Sequence, residues 1–235
     1  MTHSQPAGKK VLSSKKSVDA KEWLGRKGEI REAALTLFAE RGYHGTGMED
    51  IAALVGIRAS SLYNHVESKQ DLLVDIMVTT MRDLLISFDE AIATAGPAET
   101  RRALRMAMEA HVRYHGTHKR DARIGNREIP SLEEPHQGDV RQLRRRYARK
   151  WQALIQTGIS QGVFITPSAQ LSTYALLEMG IGVSQWFHEE GPLGLNEIAE
   201  HYGMMALRQL NAGPERTKGG IRQNTKNGVD RGAAI

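Results

Sequence analysis

The chain has no cysteine at all, and that one absence removes several chemistries together. Disulfides, thiolate zinc sites, iron–sulfur clusters and thiol nucleophiles all need a residue that is not there. Aromatic residues are scarce, 6% of the 235, and there are only seven prolines. Long apolar runs are missing too. Every hydrophobic stretch meets a charge or a glycine well before the roughly eighteen residues that a bilayer span requires, and no apolar signal segment opens the chain. These absences lead to the expectation of a cytoplasmic protein without a membrane partner. There is no Gly-x-Ser-x-Gly elbow, no phosphate-cradling glycine loop and no His-Glu-x-x-His, so no cofactor is expected and an enzyme would lack a recognisable centre.

What is present is the makeup of a globular protein, 40% hydrophobic and 25% charged, sufficient for one or two cores. The net charge of +5 is unevenly spread. Residues 1–28 hold seven lysines and arginines against two acids, the segment 211–235 holds five against two, and the stretch between is net acidic. A basic arm beside a folded body fits a polyanion partner, although solvated tails of this kind are also common. Both ends are poor in large apolar residues and cannot bury enough surface to offset the entropy of ordering. A disordered basic arm over 1–24 and a disordered basic tail over 212–235 are therefore expected.

Between the tails the apolar residues recur with the helical period of about 3.6, and only Val163-Phe164-Ile165-Thr166 resembles a strand, with nothing to pair with. The expected fold class is all-α. A first helix spans 26–41, with Ile30, Ala33, Ala34, Leu37 and Phe38 on one stripe and Gly42 ending it. Thr46-Gly47-Met48-Glu49 has capping-box spacing, which starts a short helix with Thr46 as its cap. Gly56 interrupts that helix, another runs over about 58–65, and Ser68 caps a long one that ends at Gly96-Pro97. Further helices are expected over 98–117, 119–128, 140–161, 168–189 and 195–210.

The segment 48–66 has the pattern of a helix-turn-helix. Two short helices crossing steeply need a small residue at the crossing, Ala52, and a residue tolerant of positive φ in the turn, Gly56. Ile57 and Leu62 anchor the second helix. Arg58, Ser60, Ser61, Tyr63, Asn64 and His65 then face outward, all able to bond phosphate oxygens or base edges, and no acid occurs from 51 to 66. The alternative is a plain helical hairpin with a polar face, which would ordinarily carry acids.

Ala33-Ala34-x-x-Leu37-Phe38-Ala39-Glu40-x-Gly42-Tyr43, then Thr46, Ile51-Ala52-x-x-x-Gly56-Ile57 and Ser61-Leu62-Tyr63-x-His65-Val66-x-Ser68-Lys69-x-x-Leu72 resemble the DNA-binding domain of TetR/AcrR-type transcriptional regulators over about 26–75. The resemblance implies that Thr46, Tyr63, His65 and Lys69 contact phosphates while Arg58, Ala59, Ser60 and Asn64 approach the major groove. Val66 departs from the Phe of many relatives and gives a smaller anchor. The organisation implied is a three-helix helix-turn-helix domain over 25–70, followed by a ligand-binding and dimerisation bundle over 71–211. Gly162-Val163-Phe164, Trp186-Phe187 and Gly191-Pro192-Leu193 look like the branch that controls fatty-acid or steroid catabolism through acyl-CoA thioesters.

Within the bundle, His111, His115 and His118 stand at i, i+4 and i+7, a spacing open to metal ligation, cavity lining or plain surface, with no metal the preferred reading. Candidate ligand contacts are His111, Tyr114, His115, Arg127, Arg144 and Trp151. The arginine run from Arg141 to Arg149 is either a solvated face or a partner for an anionic ligand. The helix over 168–189 is apolar around most of its circumference and needs cover on nearly every side. Leu154, Leu171, Leu176, Met179, Val183 and Trp186 are therefore assigned to a homodimer interface. The function expected is a homodimeric, ligand-responsive repressor of a catabolic or efflux operon, bound to double-stranded palindromic DNA and released by a small molecule, an acyl-CoA in the resemblance. The alternatives are a non-specific architectural DNA binder and a helical enzyme.

Overall fold

Local capping rules set most of the helix boundaries. The computed structural model describes residues 12–212, with side chains from residue 25 onward, and holds nine α-helices in that range and no strand. The first, α1 (Leu12–Arg41), ends at Gly42, whose φ of 78° is left-handed. It begins well before the expected start, so residues 12–24 extend a helix where a disordered arm was expected. Segment 12–24 has no proline and several good helix formers, and its continuation from a packed helix needs no new nucleus. The expected tail beyond Ala212 lies outside the described residues.

Helix α2 (Met48–Val55) is followed by α3 (Ala59–Leu62) and α4 (Lys69–Ala95). The cap of α2 is Gly47 rather than Thr46, and the residue that reaches back is Asp50, whose carboxylate accepts from the Gly47 N–H at 2.7 Å. The capping box is thus shifted by one residue from the expected register, because the Thr46 hydroxyl is committed to the Gly42 carbonyl at 3.0 Å. Ser68 caps α4 as its spacing predicts, accepting from Asp71 N–H at 3.1 Å.

The remainder comprises α5 (Thr100–Thr117), α6 (Lys119–Arg127), a 3-10 turn at Ile129–Ser131, α7 (His136–Ser160), α8 (Ala169–Trp186) and α9 (Leu195–Gln209). Val163–Thr166 forms no strand; Ile165 N–H instead donates to Leu210 O at 2.8 Å, tying the α7–α8 connection to the end of α9. Helix α5 is central, in contact with α4, α6, α7, α8 and α9. Gly180 allows α8 to cross it closely, since a side chain there would run into the His111 ring.

Two apolar cores result. The first gathers Ile30, Phe38, Ile51, Leu62, Leu73 and Ile76 from α1–α4, together with Ile124 of α6 and Val140 of α7. The second gathers Leu104, Met108, Trp151, Ile155, Leu176, Val183 and Ala206 inside the bundle. Helix α6 therefore belongs to both halves of the molecule. No helix among the described residues is long and apolar enough to cross a membrane.

Candidate functional site

The turn between α2 and α3 is built as the residue pattern requires. Gly56 has φ 75° and ψ 32°, its N–H returns to Ala53 O at 3.1 Å, and Ile57 N–H returns to Ala52 O at 3.0 Å. Leu62 is fully buried and holds α3 down. The α-helix itself is shorter than the 58–65 expected. After Leu62 the chain tightens into turns, with Asn64 N–H to Ser61 O at 3.2 Å and His65 N–H to Leu62 O at 2.9 Å. Arg58, Ser60, Tyr63 and Asn64 are exposed, while Ala59, Ser61 and His65 are half-buried. A continuous outward polar surface therefore spans 58–65.

Two of the residues expected at phosphates point elsewhere. Thr46 is 1% exposed, with its hydroxyl bonded to Gly42 O. Lys69 donates its ammonium to Tyr43 O at 3.0 Å and Thr46 O at 2.8 Å and lies over the Tyr43 ring. Its charge is thus committed to carbonyls of the α1–α2 loop, where it locks α4 to that loop. Both residues shape the reading surface in this structure and neither presents its polar atoms at it.

The second feature is a cavity of about 450 Å³ inside the bundle. Its walls are Thr80, Met81 and Leu84 of α4, His111 and His115 of α5, Asp121, Ala122 and Gly125 of α6, Arg144, Tyr147 and Ala148 of α7, and Thr173, Leu177 and Ile181 of α8. Arg145, Arg149, Gln152, Gln170 and Tyr174 line its exposed side. Of the six expected ligand contacts, His111, His115 and Arg144 are brought together here and three are not. Trp151 is wholly buried in the core against Phe88 and His111. Tyr114 does not line the cavity: it is buried beside Thr80 and stacked on His118 at 4.3 Å between centroids, and Arg127 is exposed at the end of α6. The three histidines consequently do not converge on one point.

His111 is fixed in one neutral tautomer. Its Nε2 faces the Leu177 carbonyl at 3.1 Å, which can only accept, so Nδ1 is left to accept from the Tyr147 hydroxyl at 3.0 Å. Burial lowers its pKa to about 4, against the bond to Leu177 that raises it. Burial lowers that of His115 further, with His111, His118 and Arg144 adding repulsion. Both rings are uncharged at neutral pH.

Helix α6 joins this cavity to the reading unit. Asp121, 6% exposed, walls the cavity and lies 3.5 Å from Arg31 of α1, which also pairs with Asp75 of α4 at 3.3 Å. Arg120 meets Glu32 at 3.4 Å, Arg123 donates to Ala39 O at 3.4 Å, and Tyr43 N–H donates to Glu128 at 3.4 Å. Asp121 escaped sequence reading because a single acid on a strongly basic short helix looks like ordinary surface.

The expected interface residues divide. Leu176 and Val183 are 0% exposed within the protomer, packed inside the bundle, and so have no surface to offer a partner. Leu154 and Met179 are half-buried. Leu171 at 69% and Trp186 at 47% are exposed, and Tyr174, Met204 and Met205 join them on α8 and α9.

A helix-turn-helix set on a bundle that contains a cavity is the architecture of a ligand-sensing DNA-binding regulator. The chain belongs to the TetR family: residues 30–76 match bacterial regulatory proteins of the tetR family, and residues 97–210 match the tetracyclin repressor-like C-terminal domain. It is accordingly a transcriptional regulator and not an enzyme. It is similar to the HTH-type transcriptional repressor KstR2 of Mycobacterium tuberculosis, 26% identical over 184 residues, or 77% of this chain and 91% of that one. The structure of the TetR family regulator PfmR from Thermus thermophilus is 32% identical, with a TM-score of 0.69 over 80% of this chain and 99% of the other. AibR in complex with isovaleryl coenzyme A and operator DNA shares the fold at 24% identity, with a TM-score of 0.67 over 77% and 97%.

Proposed function

We propose that the protein is a homodimeric, ligand-responsive repressor in the cytoplasm that holds a palindromic operator until a small molecule enters the bundle. The observation that carries this reading is the double membership of α6, which walls the cavity with Asp121 and Ala122 and grips α1 through Arg120, Asp121 and Arg123. A ligand that fits better when α6 is displaced shifts the population away from the DNA-binding arrangement, and it needs only that difference in affinity to do so.

Two recognition surfaces are required because one short helix spans too few base pairs for a specific site; half-sites one turn apart call for a two-fold dimer. Leu171, Tyr174 and Trp186 of α8 and Met204 and Met205 of α9 offer an exposed apolar face for it. On the DNA side, Arg58, Ala59, Ser60 and Asn64 read bases, while Tyr63, His65, Ser61 and the backbone near Thr46 and Lys69 meet phosphates.

The effector favoured by the cavity is an acyl-CoA thioester of a catabolic pathway. The walls are mainly apolar, and Arg144, Arg145 and Arg149 stand on one side of them. Arg149 also lines a second groove with Arg82, Arg146 and Lys150, so a polyanionic head can extend along α7 while its acyl group is inside. The complex of AibR with isovaleryl coenzyme A supports this class. The test is fluorescence anisotropy of a duplex selected by the protein from a random pool, titrated with acyl-CoAs of graded length. Release by at least one thioester is expected; release only by neutral or cationic drug-like compounds would overturn the anionic effector.

A further inference from the structure

Hydrogen-bond accounting of the buried side chains that line the cavity singles out one group. Thr80 donates to Ile76 O at 2.8 Å, Thr173 donates to Ala169 O at 2.8 Å, Asp121 faces Arg31, and His111 and Tyr147 satisfy each other. His115 lines the same cavity and is 4% exposed, yet both of its ring nitrogens lack any partner. A buried imidazole with neither nitrogen bonded is costly, and such groups are rare outside places where something else supplies the bond.

We infer that His115 is the specificity residue of the effector cavity and that the enclosed, carbon-rich part of the effector carries an uncharged oxygen, a ketone or a hydroxyl, which bonds this imidazole. The inference rests on the cavity being the effector site, as proposed above. A neutral imidazole offers one donor and one acceptor, so a ketone takes the N–H and a hydroxyl can use either nitrogen. A carboxylate at this position would receive one neutral N–H bond and no compensating charge from His115, since burial and the neighbouring Arg144 oppose protonation of the ring, and it would share the cavity with Asp121. The anionic end of the ligand belongs on the α7 arginines instead. Selectivity follows from the same accounting, because a hydrocarbon ligand leaves His115 unpaired in a closed site.

The experiment measures binding of decanoyl-CoA and its ω-hydroxy and (ω−1)-oxo derivatives by calorimetry to the full chain and to His115→Phe and His115→Leu. One or both oxygenated thioesters should bind the natural protein about tenfold more tightly than decanoyl-CoA, and that preference should vanish in both variants. Ligand-free His115→Phe should melt above the natural protein, which reports its folding independently. In a second arm, ring-nitrogen NMR follows His115 while 1-octanol or 2-octanone is added without any anionic group; a shift of the His115 signals with at least one is expected. Equal affinity for all three thioesters, or a preference that survives in the variants, would overturn the inference. If no thioester binds while the neutral probes shift His115, the anionic-effector reading fails and the inference stands; if neither neutral probe shifts it, the inference fails.

Discussion

The reading unit and the sensing bundle place their polar groups on opposite sides. In α2, α3 and the turns beside them the polar side chains are directed outward, and the one buried polar residue, Thr46, is bonded to Gly42 O. The bundle buries Thr80, Thr100, His111, His115, Asp121, Ser172 and Thr173. A unit that must present one fixed shape to DNA benefits from an apolar interior that packs in a single way. A unit that must respond to a solute needs polar groups inside, where low dielectric makes each bond, and each missing bond, count for more. The first arrangement suits a fixed shape and the second a response to a solute, with α6 as the element common to both.

The largest expected effect comes from breaking the first core. Leu62→Ala should cost about 2–5 kcal/mol by thermal or denaturant unfolding and abolish operator binding. Binding of an acyl-CoA to the bundle should persist, and its loss would show that the two units do not keep separate cores. A pH titration addresses the bundle. The folded values of His111 and His115 lie below that of an unfolded histidine, so in acid the unfolded chain takes up protons that the native one refuses. Their contribution to stability is complete above about pH 6.5 and falls as the pH drops towards about 4, at up to about 1.4 kcal/mol per unit for each ring. Differential scanning calorimetry should follow this slope and find it reduced in His115→Phe; an unchanged slope would place the histidines' titration elsewhere.

Reading itself should respond less. Asn64→Ala should lower discrimination among operator bases by about 1–3 kcal/mol where Asn64 bonds a base, measured by competition against scrambled duplexes. Lys69→Ala should weaken binding to all duplexes alike, since Lys69 braces the α1–α2 loop through Tyr43 O and Thr46 O. Equal losses on specific and random DNA for Asn64→Ala would remove it from base reading. The smallest effect is expected at the junction. Asp121→Asn should leave folding intact and change the coupling between ligand and operator by about 0.5–2 kcal/mol, because it weakens the Arg31 contact.

The reading unit was largely legible because its geometry follows from neighbours in the chain: Gly56 turns left-handed, Ser68 caps α4 and Leu62 anchors α3, each by a local rule. The misses there concern direction. The resemblance to TetR-type regulators implied phosphate contacts for Thr46 and Lys69, whereas in the structure the Gly42, Tyr43 and Thr46 carbonyls turn them inward. The bundle was legible as helices and much less as a site. Periodicity marks α8 as apolar on most sides without saying which side its own chain covers, which is why Leu176 and Val183 belong to the core and Leu171 and Trp186 to the surface. Trp151 and Tyr147 share one face of α7 one turn apart, yet only Tyr147 reaches the cavity. That distinction depends on how α7 crosses α5 and α8, and no local pattern encodes it.

The most direct test is a thermodynamic cycle with one acyl-CoA and one selected operator duplex. If cavity and DNA surface are coupled through α6, the factor by which the thioester weakens operator binding equals the factor by which the operator weakens thioester binding, both well above one, and both fall together in Asp121→Asn. A thioester that binds with the same affinity whether or not operator is present would contradict the coupling.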